Sequence, residues 1–226
     1  MTEKPSGAYY SDRLNAERLR RCYEVAPQRV QQYLSAEIDF VRRRIRPDDR
    51  VLELGCGYGR ALEPLIGAAA LVAGIDTSVD SLMMGAALNE RFALAAMDAT
   101  NLGFADVSFD VVFCVQNGIS AFGVEPARLV AEAVRVARSG GRALFSSYAR
   151  RFWPDRLEWF RIQAAHGLLG EIDEDATGEG VIVCKDGFRS GAVSPEQFEQ
   201  LGAATGHAFE VVEVDSSSVF CVISRC

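Results

Sequence analysis

The chain has 226 residues, of which 49% are hydrophobic and 24% are charged, and its formal net charge is −7. These values are typical of globular proteins and exclude the collagen-like, disordered and disulfide-rich miniprotein classes. The acidic balance disfavours a nucleic-acid scaffold, because such a protein needs a basic surface to displace counterions. The six cysteines form no CxxC pair, and no apolar stretch is long enough to cross a bilayer. We therefore expect a cytoplasmic protein with no membrane partner, no nucleic-acid partner and no bound metal.

The N-terminal region has the pattern of helices. Leu14, Leu19 and Tyr23 recur at helical spacing, and a second apolar-periodic run ends at Pro47. The sequence therefore predicts a helical extension, or cap, over residues 1–47.

From residue 50 onwards, short apolar strands alternate with helical segments. The predicted strands are 51–54, 71–76, 92–99, 109–116 and 142–149, and the predicted helices are 59–67, 78–90 and 125–141. Thr77 or Ser78 is a suitable N-cap for the second helix, and Gly140 follows the last periodic residue of the third. Apolar strands joined by helices indicate a parallel sheet that is covered on both faces.

The C-terminal region ends differently. A helix over 195–205 precedes two strands, 209–214 and 218–224, and the turn between these strands is too short for a parallel crossover. The last strand should therefore be antiparallel. The predicted fold class is α/β: a Rossmann-like doubly wound sheet, mostly parallel with an antiparallel C-terminal hairpin strand, and helices on both faces.

One segment interrupts the alternation of strands and helices. Residues 150–193 contain an aromatic amphipathic helix and an Asp186-Gly187 hairpin signal. The segment follows the carboxyl end of a strand, where open α/β sheets bind ligands. We predict a core over 48–149 and 194–226, with residues 150–193 inserted as a lid over the substrate.

The segment VLELGCGYGR is the first candidate binding element. Gly55, Gly57 and Gly59 follow a buried strand, and glycines let the backbone approach a ligand closely. The dinucleotide pattern GxGxxG fails because Arg60 stands at its third glycine position, and the GK[ST] of a P-loop is absent. Glu53 lies two residues before the first glycine, which gives the pattern ExGxGxG.

The ends of the next three strands supply further polar groups. Asp76 ends the second strand, where a carboxylate can accept hydrogen bonds from both hydroxyls of a ribose. Asp98 and Ala99 end the third strand, where a carboxylate can accept from an adenine amine and a backbone N–H can donate to a ring nitrogen. The fourth strand ends at Gln116, whose backbone should line the same crevice.

These motifs, with GIDTS, AMDATNLGFADVSFDVVFC and GGRALFSSY, resemble those of the class I S-adenosylmethionine-dependent methyltransferases. The resemblance covers about residues 48–149 and resumes over 195–224. It implies S-adenosylmethionine as the cofactor and S-adenosylhomocysteine as its product. The cofactor-binding residues that it implies are Glu53, Gly55, Cys56, Gly57, Gly59, Asp76, Thr77, Asp98, Ala99 and Gln116.

The resemblance also assigns parts of the cofactor to these residues. It implies that the three loop glycines bind the methionine moiety and that Asp76 binds the ribose. It also implies that Asp98 and Ala99 contact the adenine and that Gln116 lies beside the sulfonium. Glu53 would orient the glycine loop or the cofactor's amino group. Tyr58 or Arg60 would contact its carboxylate.

The resemblance points to the small-molecule branch of this family. The residues after Gln116 contain no Pro pair, which amine methylation of DNA or glutamine methylation of proteins usually requires, and no Pro-Cys nucleophile is present. We expect in-line methyl transfer to nitrogen, oxygen or carbon of a small molecule by a monomer or homodimer. Two alternatives stay open: an RNA or protein methyltransferase, and a non-catalytic module that binds S-adenosylmethionine or S-adenosylhomocysteine.

A general base is needed only if the acceptor carries a proton at neutral pH. The candidates are Tyr148, at the end of the fifth strand, and His166, in the predicted lid. Tyr9 and Tyr10 precede the first helix. In resembling enzymes this segment often folds over the cofactor, and the alternative is a frayed terminus.

Overall fold

The computed structural model describes Tyr9 and residues 13–226, so Tyr10 lies outside the described residues. The strands are β1 (Arg50–Leu54), β2 (Leu71–Asp76), β3 (Ala93–Ala96), β4 (Phe109–Cys114), β5 (Ala137–Tyr148), β6 (Ile182–Val183), β7 (Arg189–Ser190), β8 (Ala208–Val214) and β9 (Ser218–Ser224). The α-helices are α1 (Ala16–Glu24), α2 (Gln28–Arg42), α3 (Val79–Leu88), α4 (Gly118–Ala121), α5 (Pro126–Val136), α6 (Trp153–Ala165) and α7 (Pro195–Ala204). Single 3₁₀ turns lie at Glu63–Leu65 and Arg150–Phe152.

Seven strands form the main sheet in the order β3-β2-β1-β4-β5-β9-β8. Strands β1 to β5 pair in parallel, whereas β9 is antiparallel to both of its neighbours, β5 and β8. This arrangement confirms the predicted mostly parallel sheet with one antiparallel C-terminal strand. One face of the sheet packs on α5 and α7, and the other packs on α2 and α3, so that both faces are covered.

The predicted helix over 59–67 is wrong. The chain instead makes successive turns and the single 3₁₀ turn at Glu63–Leu65. Pro64 has no backbone N–H with which to continue an α-helix, and Gly59 and Gly67 have the left-handed φ values +88° and +85°. Leu62 and Leu65 still face the core, which is why the apolar spacing resembled that of a helix.

The boundary between the predicted helix over 125–141 and the following strand is also wrong. The helix α5 ends at Val136, and β5 begins at Ala137, which pairs with Phe109 of β4. Gly140 has φ +76°, and its N–H donates to the carbonyl of Arg225 at 2.7 Å. Pairing with distant strands therefore overrides helical periodicity in this segment.

The insertion and the N-terminal helices pack against each other. They share an apolar cluster that is separate from the two clusters on the sheet, and its members include Leu14, Cys22, Val30, Tyr33, Phe152, Trp159, Phe160, Ile182 and Phe188. The predicted hairpin is present, because β6 and β7 pair antiparallel around Asp186-Gly187. We call α1, α2 and residues 150–193 together the cap. The domain boundaries given by the sequence stay predictions.

Polar contacts reinforce the cap. The indole N–H of Trp159 donates to the carbonyl of Cys22 at 2.9 Å, and the hydroxyl of Tyr9 donates to Asp186 at 2.7 Å. The ring of Tyr9 also packs on Phe188, with 4.9 Å between the ring centroids. Tyr9 therefore joins the N-terminal segment to the inserted hairpin.

Candidate active site

A crevice of about 430 Å³ lies at the carboxyl ends of β1, β2, β3 and β4. Of the ten residues predicted to bind the cofactor, seven line it: Gly55, Gly57, Asp76, Thr77, Asp98, Ala99 and Gln116. Parallel strands bring their carboxyl ends to one edge, which explains why residues far apart in the sequence meet here. Leu14 covers this crevice together with Leu19 and Tyr23 of helix α1.

Two glycines of the loop require their lack of a side chain. Gly55 has φ +74° and Gly57 has φ +53°, and both conformations strain other residues. A Cβ at Gly55 would lie 2.7 Å from Cζ of Phe122, and a Cβ at Gly57 would lie 3.0 Å from Cδ2 of Leu19. The loop therefore presents bare backbone to the crevice.

The remaining predicted members of the loop support it from behind. Gly59, also left-handed, packs against the ring of Phe92, and neither lines the crevice. Cys56 is buried, and its Sγ packs against Gly74 of β2, where a Cβ would lie only 2.7 Å away. Cys56 thus has a packing role in this structure.

Asp76 joins the glycine loop to the end of β2. One carboxylate oxygen accepts from the N–H of Gly57 and the other from the N–H of Ser78, both at 2.8 Å. Ser78 is the N-cap of α3, because its hydroxyl accepts from the N–H of Ser81 at 3.2 Å. A change at Asp76 would therefore affect both the loop and the crevice.

Asp98 shapes the loop after β3. Its Oδ1 accepts from the N–H and the hydroxyl of Thr100, at 2.7 and 2.8 Å. This local turn leads the chain away from the sheet immediately after Ala99, which is buried in the wall of the crevice.

Glu53 is buried at the end of β1, and its Oε2 has no hydrogen-bond partner among the described residues. Burial raises the pKa of Glu53 to about 8; the charge of Asp76 also raises it, whereas Arg60 lowers it. A buried carboxylate oxygen without a partner is expensive in a folded protein. Its position beside the glycine loop suits a ligand that carries a hydrogen-bond donor.

Gln116 lies between the sheet and the cap. It has the left-handed φ of 57°, and its backbone N–H donates to Glu37 of α2 at 2.8 Å. The guanidinium of Arg60 can only donate, so the amide oxygen of Gln116 faces Arg60 and the amide NH₂ donates to the hydroxyl of Tyr23 at 2.7 Å. Sequence reasoning missed both Tyr23 and Glu37.

Tyr148 and His166 are in different surroundings. Tyr148 is partly buried and lines a second cavity of about 480 Å³ between the end of β5 and the cap, together with Trp153, Arg156 and Val193. Burial raises the pKa of Tyr148. His166 is exposed at the end of α6 and lines neither of these two cavities. The structure thus does not bring the two candidate bases together.

A hydrogen bond links residues that adjoin the two cavities along the chain. Gln116 lines the first cavity and Tyr148 the second, and the hydroxyl of Ser147 donates to Oδ1 of Asn117 at 2.6 Å. Asn117 also donates to the carbonyl of Gly191 at 3.0 Å, and the hydroxyl of Ser147 accepts from the N–H of Val193 at 2.8 Å. These bonds attach the inserted segment to the sheet beside the crevice.

The described residues hold neither a metal-binding cluster nor a membrane-spanning helix. No group of three or more His, Cys, Asp or Glu side chains in the described part of the chain is arranged to hold a metal ion. None of the helices formed by Tyr9 and residues 13–226 has the length and apolar character needed to cross a membrane.

Part of the chain is similar to known methyltransferases. Residues 52–145 match the family model described as a methyltransferase domain. Over 113 residues the chain is 33% identical to a demethylmenaquinone methyltransferase of Paenarthrobacter aurescens, a match that covers 49% of this chain and 43% of that enzyme. Over 108 residues it is 36% identical to a phosphatidylethanolamine N-methyltransferase of Cereibacter sphaeroides, which covers 45% of this chain and 52% of that enzyme. The matches thus span about half the length of these curated relatives.

Solved structures share the fold over nearly the whole chain. A methyltransferase of Thermotoga maritima, described as S-adenosylmethionine-dependent and as a possible histamine N-methyltransferase, has a TM-score of 0.66 at 18% identity and covers 98% of this chain and 100% of its own. An N-methyltransferase of Bradyrhizobium japonicum in complex with S-adenosylhomocysteine has a TM-score of 0.57 at 15% identity, covering 98% and 99%. These solved structures confirm the predicted fold, and the family-model match over residues 52–145 agrees with the predicted resemblance to methyltransferases.

Proposed function

We propose that this chain transfers the methyl group of S-adenosylmethionine to a small organic acceptor; its residues 52–145 match the family model described as a methyltransferase domain. One observation carries the proposal. Seven residues predicted from the motifs converge on a single crevice at the carboxyl ends of four parallel strands. The bare backbone at Gly55 and Gly57 fits a polar ligand in that crevice. Glu53 does not line the crevice, but it lies two residues before the loop and has a buried oxygen without a partner among the described residues.

Different residues of the crevice would bind different parts of the cofactor. The loop at Gly55 and Gly57 would hold the methionine part of the cofactor, with Glu53 accepting from its ammonium group. Asp76 would accept from the ribose, while Asp98 and Ala99 would face the adenine. Gln116 would lie beside the sulfonium. Thr77 completes the wall of the crevice.

Methyl transfer does not require a protein side chain to form a covalent bond with either reactant. When bound, S-adenosylmethionine supplies a methyl group that an acceptor can take by in-line displacement. The chain's own contribution is to hold the acceptor close and collinear, a positioning effect that can lower the barrier by roughly 7–11 kcal/mol. The cap, which covers the crevice through α1, would also exclude water during the reaction.

The second cavity is the proposed site of the acceptor. Its walls include the rings of Tyr148 and Trp153, and the guanidinium of Arg156 lies 4.2 Å from the centroid of the Tyr148 ring. Flat aromatic walls favour a ring-shaped apolar ligand. A buried guanidinium disfavours an ammonium ion, because like charges repel strongly in a low dielectric. We therefore propose an uncharged or anionic ring compound as the acceptor, with its hydroxyl or an activated ring carbon as the methylated atom.

The remaining expectations complete this proposal. The acidic chain and the small second cavity support a metabolite rather than RNA or protein as the acceptor. The six free cysteines support a cytoplasmic location, because a reducing compartment keeps thiols unpaired. Turnover distinguishes an enzyme from a module that only binds the cofactor. A monomer or a homodimer is compatible with a site built from one chain.

Calorimetry with S-adenosylmethionine, S-adenosylhomocysteine and, as a negative control, NAD tests the cofactor assignment. We expect micromolar binding of both sulfur ligands and a loss of at least about 100-fold in Asp76→Ala, because that change removes the ribose acceptor and frees the loop. Asp80→Ala is the matched control, since Asp80 is exposed on the first turn of the adjacent helix α3. A folded wild type that binds neither sulfur ligand would refute the proposed function.

An acceptor screen follows once binding is established. The screen would use S-adenosylmethionine labelled in its methyl group, with one panel of phenols and quinols and a second of primary and secondary amines. We expect turnover in the first panel only. Turnover confined to the amines would refute the assignment of the acceptor to a ring compound, and turnover of neither panel despite tight cofactor binding would favour the binding module.

A further inference from the structure

Two side chains of the cap converge on one residue of the crevice. Tyr23 of α1 contacts the side-chain amide of Gln116 at 2.7 Å, and Glu37 of α2 accepts from its backbone N–H at 2.8 Å. Neither residue belongs to the methyltransferase domain match, which begins at residue 52. The cap thus reaches Gln116 from two helices, once at its backbone and once at its side chain.

The backbone of Gln116 needs such support. Gln116 and Asn117 have φ values of 57° and 59°, a left-handed conformation that is unfavourable for residues other than glycine. The bond to Glu37 satisfies the N–H of Gln116, and the bonds of Asn117 to Ser147 and Gly191 restrain the next residue. The left-handed pair turns the chain sharply after β4 and directs Gln116 into the crevice.

Glu37 is poorly suited to a purely structural role. It is fully buried, its Oε2 accepts from the N–H of Gln116, and its other polar neighbours include the hydroxyls of Ser146 and Tyr33. Burial raises its pKa to about 7, against the opposing influence of Ser146, the N–H of Gln116, Arg60 and Tyr33. An apolar side chain would pack here without that cost. The other groups that contact Gln116 are Tyr23 and Arg60, whose guanidinium lies 4.7 Å from the Tyr23 ring centroid.

We propose that Tyr23 and Glu37 are positioning residues that hold Gln116 against the cofactor, so that docking of the cap and binding of the cofactor are coupled. This inference rests on the proposed function, because it takes the crevice to be the cofactor site. Tyr23 acts on the side chain of Gln116, whereas Glu37 acts on its backbone. The two contacts therefore predict different responses when the side chain of Gln116 is removed.

The test measures the affinity for S-adenosylhomocysteine by calorimetry. We expect Tyr23→Phe and Glu37→Leu each to weaken binding roughly three- to tenfold, since each removes one hydrogen bond to Gln116. Glu37→Gln should restore most of the affinity, because its amide oxygen still accepts from the N–H. In a Gln116→Ala background, Tyr23→Phe should have no further effect, whereas Glu37→Leu should keep its effect.

Controls separate positioning from simple stability. Tyr9→Phe removes a hydroxyl contact elsewhere in the cap, to Asp186, and should leave the affinity unchanged. A purely structural role would lower the melting temperature of Tyr23→Phe and Glu37→Leu without changing the affinity of the folded protein. Wild-type binding by both variants would refute this inference while leaving the proposed function intact. Failure of the wild type to bind would refute both.

Hydrogen exchange gives a second readout of the coupling. Saturating S-adenosylhomocysteine should protect the amides of α1 and α2 in the wild type and much less in Tyr23→Phe. If Tyr23→Phe should unfold at the working temperature, the protection of α1 and α2 can be compared between wild type, Glu37→Gln and Gln116→Ala instead. Equal protection of the cap in wild type and Tyr23→Phe would mean that the cap and the cofactor site are independent.

Discussion

The core and the cap of this protein reach stability in different ways. In the core, β1 and β4 are buried nearly throughout, and each strand pairs with neighbours that bury it further. In the cap, helices and short strands meet around aromatic side chains and a few buried polar groups, above all Arg156. A core of regular strands tolerates local variation, whereas a cap of irregular segments depends on single side chains.

Arg156 shows this dependence most clearly. It is only 1% exposed. Its guanidinium donates to the carbonyls of Gly180, Ser190 and Gly191 at 2.8–3.0 Å and to the hydroxyl of Ser190 at 2.8 Å. One side chain thus connects α6 to both ends of the inserted hairpin.

Replacing Arg156 should have the largest effect on stability. Arg156→Met would leave buried carbonyls without donors, and we expect a loss of about 3–5 kcal/mol in the free energy of unfolding of the cap. Native-state hydrogen exchange should show residues 150–193 losing protection while β1 and β4 keep theirs.

The matched control for this change is Arg161→Met. Arg161 lies on the same helix but is exposed, and it pairs with Glu174 at 2.6 Å. An exposed ion pair contributes about 0–1 kcal/mol, so we expect little change. If Arg156→Met should reduce protection equally in β1, β4 and the cap, the core and the cap would be one cooperative unit and the comparison would fail.

The same difference explains what the sequence could predict. Apolar strands and the glycine loop are local patterns, so the order of the strands along the chain and seven members of the crevice followed from short motifs. No short motif marks the contacts made by Tyr23, Asn117 and Arg156. Each of these residues acts through a contact to a segment that is distant in sequence. At Ala137 the local sequence favours a helix, but pairing with Phe109 of β4 places the residue in a strand.

Glu37 is the exception, since a local signal for it existed. It stands on the apolar face of α2, seven residues after Val30 and one before Ile38, both of which are buried. A carboxylate at an apolar position of an amphipathic helix indicates either a buried partner or a function. That signal identifies the residue but not the strand end that it contacts.

Two buried carboxylates, Glu37 in the cap and Glu53 in the core, should make the stability of the protein depend on pH. Burial raises the pKa of Glu37 to about 7 and that of Glu53 to about 8, above the ordinary value of 4.5. In each case the folded state holds its proton more tightly than the unfolded state. The associated stability is therefore present below about pH 4.5 and is lost as the pH rises towards 7 for Glu37 and towards 8 for Glu53.

Chemical denaturation between pH 5 and pH 8 measures this loss. Over that range we expect Glu37 to reduce the free energy of unfolding by about 2–3 kcal/mol and Glu53 by about 3–4 kcal/mol, because one pKa unit corresponds to about 1.4 kcal/mol. Glu37→Gln and Glu53→Gln should each flatten the pH profile, and Glu63→Gln, a change at a more exposed position, should leave it unaltered. A profile that is equally steep in wild type and in Glu37→Gln would show that Glu37 stays ionised in the folded protein.

The smallest effect concerns a glycine on the buried side of α3, where helix propensity and packing predict opposite signs. Propensity alone predicts that Gly85→Ala stabilises the helix by up to about 1 kcal/mol. A Cβ at Gly85 would, however, lie 2.8 Å from the carbonyl oxygen of Tyr58 and 3.1 Å from Cδ1 of Leu94. The backbone of Tyr58 belongs to the glycine loop and cannot rotate away as a side chain would.

We therefore expect Gly85→Ala to lower the free energy of unfolding by about 1–2 kcal/mol and also to weaken the binding of S-adenosylhomocysteine, since the displaced atom lies next to Gly57. The control is Ala86→Gly, at an exposed position of the same helix. It should cost about 1 kcal/mol through propensity and leave the affinity unchanged. If the Gly85→Ala variant should be more stable than the wild type and bind S-adenosylhomocysteine equally well, the backbone of the glycine loop must shift to accommodate the added methyl group. The core would then share the dependence on local contacts that otherwise distinguishes the cap.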